Sequence, residues 1–295
     1  MPVLQVNDQE VRLTNLDRVL WPDAGFTKQD LIRYFIEAAP CLLPHLINRP
    51  LVVQRFPGGI EGEAFYQKNI PEGAPEWLQS HTVEHQEGKL TRYIVAANVE
   101  TLVWLGNQAC LELHPWLSSV GTLDQPDFAV FDLDPMEKST FDQVRLTALT
   151  VREALNRRKM ACFPKLSGAT GLQIYVPLKP IYPYRRVRDF VEAVCVQVNR
   201  ALPEFTSLER KVDQREGKIY LDYLQNVRGK TLAAPYSPRP LPGAPVSIPV
   251  DWDEIAAGTI SPGDYTIKSA VRRIQARGDL FAAVLTQKQE LPPDF

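Results

Sequence analysis

The chain has 295 residues, 44% of them hydrophobic and 23% charged, with a formal net charge of −2. That composition suits a globular chain with one large domain or two small ones, and a charge so near zero does not announce nucleic acid. No apolar run reaches about 18 residues, which excludes a transmembrane helix, and Met-Pro-Val-Leu-Gln-Val-Asn-Asp is not a signal peptide. The four cysteines (Cys41, Cys110, Cys162, Cys195) are far apart and form no Cys-x-x-Cys pair. They read as buried free thiols in a reducing compartment, neither a zinc site nor a disulfide framework. Charge is unevenly spread: residues 181–240 hold eleven Lys or Arg against seven Asp or Glu.

Residues 3–20 read as short strands and a turn. Thr27 then opens a helix, with Asp30 three residues on as in a capping box. Leu31, Tyr34, Phe35 and Ala38 recur at helical spacing. Arg18 and Lys28 flank the turn that starts this helix, and a helix N-terminus with two cations can seat an anion. Two surface charges would look the same. Pro50–Arg55 is a strand running into a turn. Phe65 and Tyr66 beside Lys68 are aromatics that can stack on bases next to a phosphate-binding cation, or simply core and rim. Residues 96–113 read as a largely apolar helix leading into His114-Pro-Trp, where a lone His is more often structural than functional.

Phe128–Pro135 is the stretch with the most chemistry. An apolar, β-branched run reaches Asp132 and Asp134, and Pro135 ends it, so a buried strand opens into a loop. Strand alternation points Asp132 and Asp134 to one face. Two carboxylates so close repel unless a cation sits between them or one takes a proton, and Mg²⁺ and Mn²⁺ prefer oxygen ligands. Otherwise one Asp caps the next helix and the other is solvated. Residues 141–160 form a helix that returns the chain to a strand at 161–166, consistent with a crossover unit.

Ser167-Gly-Ala-Thr170-Gly171 is a turn between two strands, whose glycines let backbone amides approach an anion. It lacks the Lys-Ser/Thr of a P-loop and does not open a helix. Gln173 and Tyr175 share a strand face beyond it. Residues 184–202 are an Arg-rich amphipathic helix. Residues 218–226 read as a strand holding Asp222 inside an apolar run, where burial without a partner is expensive, making it a third candidate carboxylate. The tail from 251 to 285 is mostly helical.

Together, Phe-Asp132-Leu-Asp134-Pro, Ser167-Gly-x-x-Gly171-Leu-x-x-Tyr175-x-Pro, and Leu-Asp222-Tyr-x-Gln225-Asn226 leading to Ala234-Pro-Tyr-Ser-x-Arg239 resemble the primase-polymerase domain of bacterial DNA ligase D, in the archaeo-eukaryotic primase superfamily. The resemblance runs from Leu13 to about Leu285. It implies an α/β (α+β) fold: an RRM-like mixed sheet carrying the acids, a second smaller sheet, flanking helices, and an active site between them. The expected layout is one domain over 1–295, with an N-terminal sub-lobe to about 115 and a catalytic core from about 116. The nuclease and ligase domains often fused to this module are not in the sequence, so a stand-alone or excised module is expected.

The resemblance also implies roles. Asp132, Asp134 and Asp222 would be catalytic and hold two divalent ions, Mn²⁺ or Mg²⁺. Ser167, Gly168, Thr170 and Gly171 would cradle the triphosphate, with Gln173 near it, Arg239 as a clamp, and His114, Gln225 and Lys230 close to the nucleotide. Phe65 and Tyr66 would stack on a base. Asn15, Arg18 and Lys28 would grip a DNA 5′-phosphate, with Arg55 and Lys68 as further DNA contacts. Gln173 is a departure, since the family commonly has His there; Gln can position a phosphate but cannot titrate near neutrality. The implied activity is gap-filling addition of nucleotides to primer 3′ ends in end joining, with Ku and an ATP-dependent DNA ligase as partners. The implied location is cytoplasmic and nucleoid-associated in a prokaryote, with no membrane. The residues leave open the choice of metal and of ribo- or deoxynucleotides; the resemblance points to Mn²⁺ and ribonucleotides. A two-metal phosphodiesterase and a non-catalytic single-strand-binding module are the rival readings.

Overall fold

A computed structural model describes residues 2–85 and 88–295. The chain sorts into two compact units. One comprises Met1–Trp116, Thr231–Ser247 and Tyr265–Asp279; the other comprises Leu117–Lys230, Ile248–Asp264 and Leu280–Phe295. The sequence reading put everything after about residue 116 into one core, whereas two later segments return to the first unit.

The first unit opens with two small antiparallel hairpins, β1 (Val3–Val6) with β2 (Gln9–Arg12) and β3 (Val19–Trp21) with β4 (Phe26–Thr27). Helix α1 (Lys28–Leu42) starts on a reciprocal capping box: Asp30 N–H donates to the Thr27 hydroxyl and Thr27 N–H to the Asp30 carboxylate. Its buried stripe is the predicted one, with Leu31, Tyr34, Phe35 and Ala38 all at 2% exposure or less. Strands β5 (Leu51–Arg55), β6 (Phe65–Gln67), β7 (Ser80–Glu84) and β8 (Leu90–Ile94) precede α2 (Val99–Asn107) and β9 (Cys110–Pro115). The sheet runs β6–β5–β8–β7 with β9 antiparallel to β5. It has five strands, as many as the sheet of the second unit, where a smaller one was expected.

The single helix expected over residues 96–113 is a helix and a strand. Asn98 caps α2 by accepting from Thr101 N–H, and Ala109 adopts a left-handed backbone (φ 54°) that ends it. Cys110–Pro115 is buried at every position, so its apolar run carries no periodicity to separate strand from helix.

The second unit is built on β10 (Phe128–Asp134), α3 (Phe141–Asn156), β11 (Phe163–Leu166), β12 (Leu172–Pro177), α4 (Tyr184–Ala201), β13 (Thr206–Ser207) and β14 (Ile219–Leu221). Strand order is β11–β12–β10–β14–β13. β12 is antiparallel to both β10 and β11, so β10–α3–β11 is a crossover that skips one strand. One face of the sheet is apolar and packs on α4, with Phe131 edge-on to Phe190. Strand alternation gives the other face Asp132, Asp134, Gln173 and Lys165.

The strand expected over residues 218–226 stops at Leu221. A single helical turn, Tyr223–Gln225, follows, and Asn226 finishes the edge of β10 with its side chain. Its Oδ1 accepts from Val130 N–H and its Nδ2 donates to Val130 C=O, each at 2.8 Å. The primary amide thus replaces a strand neighbour where the chain turns away. The tail is mostly helical as expected, broken into the short helices Trp252–Ala257 and Ala282–Thr286 and, in the first unit, Ile267–Arg277. All four cysteines are buried and unbridged. No helix among the described residues is long and apolar enough to cross a membrane.

Candidate active site

The register of the second unit's sheet sets the acids in place. Asp132 pairs with Gln173, and Gln173 pairs with Lys165. On the other side Leu133 pairs with Leu221, so Asp222 lies opposite Asp132 and its N–H donates to Asp132 C=O at 3.0 Å. Directly opposed residues share a face. Lys165, Gln173, Asp132 and Asp222 therefore form one polar row across the sheet, with Asp134 two residues along the same face.

The row is connected. Lys165, fully buried, donates from Nζ to Gln173 Oε1. Gln173 donates from Nε2 to Asp132 Oδ1 at 3.0 Å. Asp222 Oδ1 accepts from Leu224 N–H at 3.0 Å and so caps the turn after β14. Asp134, more exposed, lies 3.6 Å from Arg215 Nη1. Arg215 in turn stacks over the Tyr220 ring at 3.9 Å.

Electrostatics separate the acids. Burial pushes the Asp132 carboxyl up to about 7; the Gln173 hydrogen bond opposes this, while Asp134 and Asp222 add repulsion. Asp134 is raised by burial, with Arg215 opposing and Asp222 adding to the shift. An all-oxygen group of mutually repelling carboxylates suits a hard divalent cation. Among the described residues no three carboxylate, imidazole or thiolate groups converge into a ready ligand set.

The Ser167–Gly171 turn is closed by its own side chain. Ser167 Oγ accepts from Ala169 N–H at 3.1 Å and Gly171 N–H at 3.0 Å. Gly168 takes a left-handed backbone (φ 73°), and Thr170 is exposed at the tip. Gly171 is needed for space, since a Cβ there would lie 2.2 Å from Leu133 O. Gln225 has a buried Oε1 without a partner among the described residues, and Lys230 is exposed.

The first unit holds a second cluster. Glu112, 3% exposed, accepts from His114 Nε2 at 2.9 Å and from Arg239 Nε. Burial pushes its carboxyl up, but the His114 hydrogen bond and the Arg239 charge outweigh this and leave it below the ordinary value. Tyr66 meets His114 edge-on at 5.9 Å. Phe65 lies under Arg55 at 5.3 Å, and both aromatics are largely exposed. The Pro-Tyr-Ser-x-Arg segment is pinned by several hydrogen bonds. Tyr236 is left-handed (φ 67°), its OH donates to Asp279 and its C=O accepts from Tyr34 OH, while Ser237 Oγ accepts from Leu113 N–H.

Near α1, Arg18 donates to Pro57 C=O and Lys28 Nζ to Thr14 C=O at 2.9 Å. Lys28 is 5% exposed, so it is not a free surface charge. Burial, then repulsion from Arg18 and Arg55, holds its ammonium below the ordinary value. Asn15 turns the chain with a left-handed backbone (φ 49°). Arg55 donates to Gln108 and Gln67, and Lys68 is exposed.

Sequence reasoning missed Lys165, Glu112 and Arg215. Lys165 had a signal, a lysine within a buried strand. Glu112 was hidden because alternation with His114 shows only once residues 110–115 are read as a strand.

The family described as LigD, primase-polymerase domain, matches residues 27–281. The bifunctional non-homologous end joining protein LigD of Bacillus subtilis is 34% identical over 96% of this chain and 45% of its own length. The multifunctional LigD of Mycolicibacterium smegmatis is 34% identical over 93% of this chain and 36% of its own. The chain thus spans less than half of these curated relatives. Among solved structures, the polymerase domain of Mycobacterium tuberculosis ligase D in complex with DNA superposes with a TM-score of 0.88 at 31% identity, covering 96% of this chain and 100% of that one. The acid-bearing sheet and these matches together make the chain a member of the LigD primase-polymerase domain family, an enzyme of the primase-polymerase type.

Proposed function

We propose that the chain is a DNA-directed nucleotidyltransferase that fills gaps by adding nucleotides, ribonucleotides in preference, to primer 3′ ends during non-homologous end joining. The observation that supports this most is the approach of Asp132, Asp134 and Asp222 on one sheet face, with Asp132 raised by burial and by repulsion from the other two. Asp132, Asp134 and Asp222 would hold two divalent ions, Mn²⁺ or Mg²⁺. When bound, such ions activate a hydroxyl nucleophile and stabilise a pyrophosphate leaving group. Arg239 and His114, both braced by Glu112, would meet the triphosphate, and Phe65 and Tyr66 would stack on a base. Arg18, Lys28 and Asn15 would receive a 5′-phosphate. The relative solved with DNA supports DNA as substrate, and the end-joining relatives support Ku and a ligase as partners.

Primer extension on gapped DNA with Mn²⁺ and labelled nucleotides tests the reading. Templated addition is the expected result; cleavage without addition would overturn it in favour of a phosphodiesterase. In the same assay, gaps with a 5′-phosphate should be filled in preference to gaps with a 5′-hydroxyl. Charge-assisted bonds to phosphate contribute roughly 1.5–3 kcal/mol each, so Arg18→Ala with Lys28→Ala should erase that preference. A preference retained by the double variant would remove the phosphate assignment.

Glu112→Gln keeps the side-chain shape and removes the charge that Arg239 and His114 share. Charge-assisted hydrogen bonds are about twice as strong as neutral ones. Nucleotide KM should therefore rise roughly tenfold with kcat less affected, the pattern of lost positioning. Steady-state kinetics showing an unchanged KM would reduce Glu112 to a structural acid.

A further inference from the structure

We propose that Lys165 is a positioning residue for Asp132, acting through the side-chain amide of Gln173. The proposal rests on the metal-binding role assigned to Asp132 above.

Lys165 is fully buried, so it cannot reach a substrate itself. Its ammonium lies within the second unit's sheet, 5.9 Å from the Tyr175 ring centre. A lysine ammonium has donors and no acceptor. Whichever end of the Gln173 amide faces it must be the oxygen, and Lys165 Nζ does donate to Gln173 Oε1. The amide nitrogen is then committed to the opposite side, where it donates to Asp132 Oδ1 at 3.0 Å. Gln173 is itself 5% exposed and is held by ladder partners on both sides, Lys165 and Asp132, so it has little freedom to turn. One oxygen of Asp132 is thereby fixed by a donor and the other is left to meet a cation. Groups that orient a metal ligand from behind commonly change metal affinity by ten- to a hundredfold when removed.

The opposite outcome has a physical basis too. A cation buried near a dication repels it, so if Lys165 were only a nearby charge, its removal would tighten metal binding. The sign of the change separates the two roles.

The test is calorimetric titration of the full chain with Mn²⁺ alone, without nucleotide or DNA, for wild type, K165M, Q173M, K165M/Q173M and D132N. Replacing both buried partners by apolar side chains of similar size, as in K165M/Q173M, is often neutral for the fold, whereas removing one partner is not, so thermal melts check each variant. K165M should bind Mn²⁺ about tenfold more weakly, and the double variant should bind at least as weakly. If Lys165 acts only through Gln173, adding K165M to Q173M should change the dissociation constant by less than about twofold. Excess Mn²⁺ should restore primer-extension kcat in K165M, which structural damage would not allow. Wild-type or tighter Mn²⁺ binding by K165M, or wild-type binding by the double variant, overturns the proposal. If D132N binds Mn²⁺ as wild type does, the metal assignment itself has failed; if D132N loses binding and K165M does not, only the positioning role has failed.

Discussion

Asp132→Asn is expected to reduce nucleotide addition by about a thousandfold or more while making the metal-free protein more stable at neutral pH. The two effects share one cause. The folded chain raises the Asp132 carboxyl from 3.8 to about 7, first by burial and then by repulsion from Asp134 and Asp222. A carboxyl raised on folding keeps its proton in the folded state where the unfolded chain has released it. Stability is thus unimpaired near pH 4, falls as pH climbs towards about 7, and is level above that. The full shift corresponds to at most about 4 kcal/mol, less what solvent around the partly exposed group screens. Asparagine cannot ionise and escapes this penalty. Melts in chelator should match for wild type and variant near pH 4 and diverge in favour of the variant by pH 8. Added Mn²⁺ should raise the wild-type Tm at pH 8 and leave the variant unmoved. Equal melting at pH 8 in chelator would show that Asp132 carries no such strain.

Gly171→Ala should be the most damaging single-methyl change in the second unit. The new Cβ would lie 2.2 Å from Leu133 O and 3.2 Å from Pro135 Cδ. Neither neighbour can swing aside, because one is strand backbone and the other a proline ring. The turn must lift away from the end of β10, the strand that carries Asp132 and Asp134. Overpacking of this kind costs about 3 kcal/mol, and the variant should lose both several degrees of Tm and its Mn²⁺ response. Gly168→Ala is the control. There the difficulty is a left-handed backbone (φ 73°), which costs a non-glycine residue about 1 kcal/mol, so the acids should keep their places. A Gly171→Ala variant with wild-type melting and Mn²⁺ response would mean that the turn tolerates what its geometry forbids.

What could be read from the chain followed from how local the cause was. The Thr27–Asp30 cap and the stripe of α1 depend on residues within two turns, and they were legible. Alternation alone puts Asp132 and Asp134 on one face. The pairing of Asp132 with Asp222 and Gln173 depends on register between strands some 40 and 90 residues away, which no local pattern states; only resemblance brought those residues together. Glu112 was lost when an apolar run was read with the wrong period. Asn226 was visible as part of a motif, but its substitution for a missing strand neighbour of Val130 needs the place where β14 ends. The partners of the Gln173 amide, Lys165 and Asp132, likewise needed the register of three strands.

The division of the chain between its two units bears on how the protein is made. The first unit needs Thr231–Ser247, which carries Tyr236, Ser237 and Arg239, and Tyr265–Asp279, which carries the acid bonded to Tyr236 and His45. The second needs Leu280–Phe295, whose Phe281 ring packs on Tyr175. A ribosome working at about 5–20 residues per second therefore reaches Asp279 before the first unit has all its parts, and goes further still before the second does. Residue 116 looks like a boundary in sequence but is not a place to cut. A fragment ending there would lack Arg239, the partner of its own Glu112, and the remainder would carry segments whose partners had been left behind. A chain that stops anywhere before Tyr265 leaves both units short of a segment, and one that stops at Asp279 leaves only the second unit incomplete.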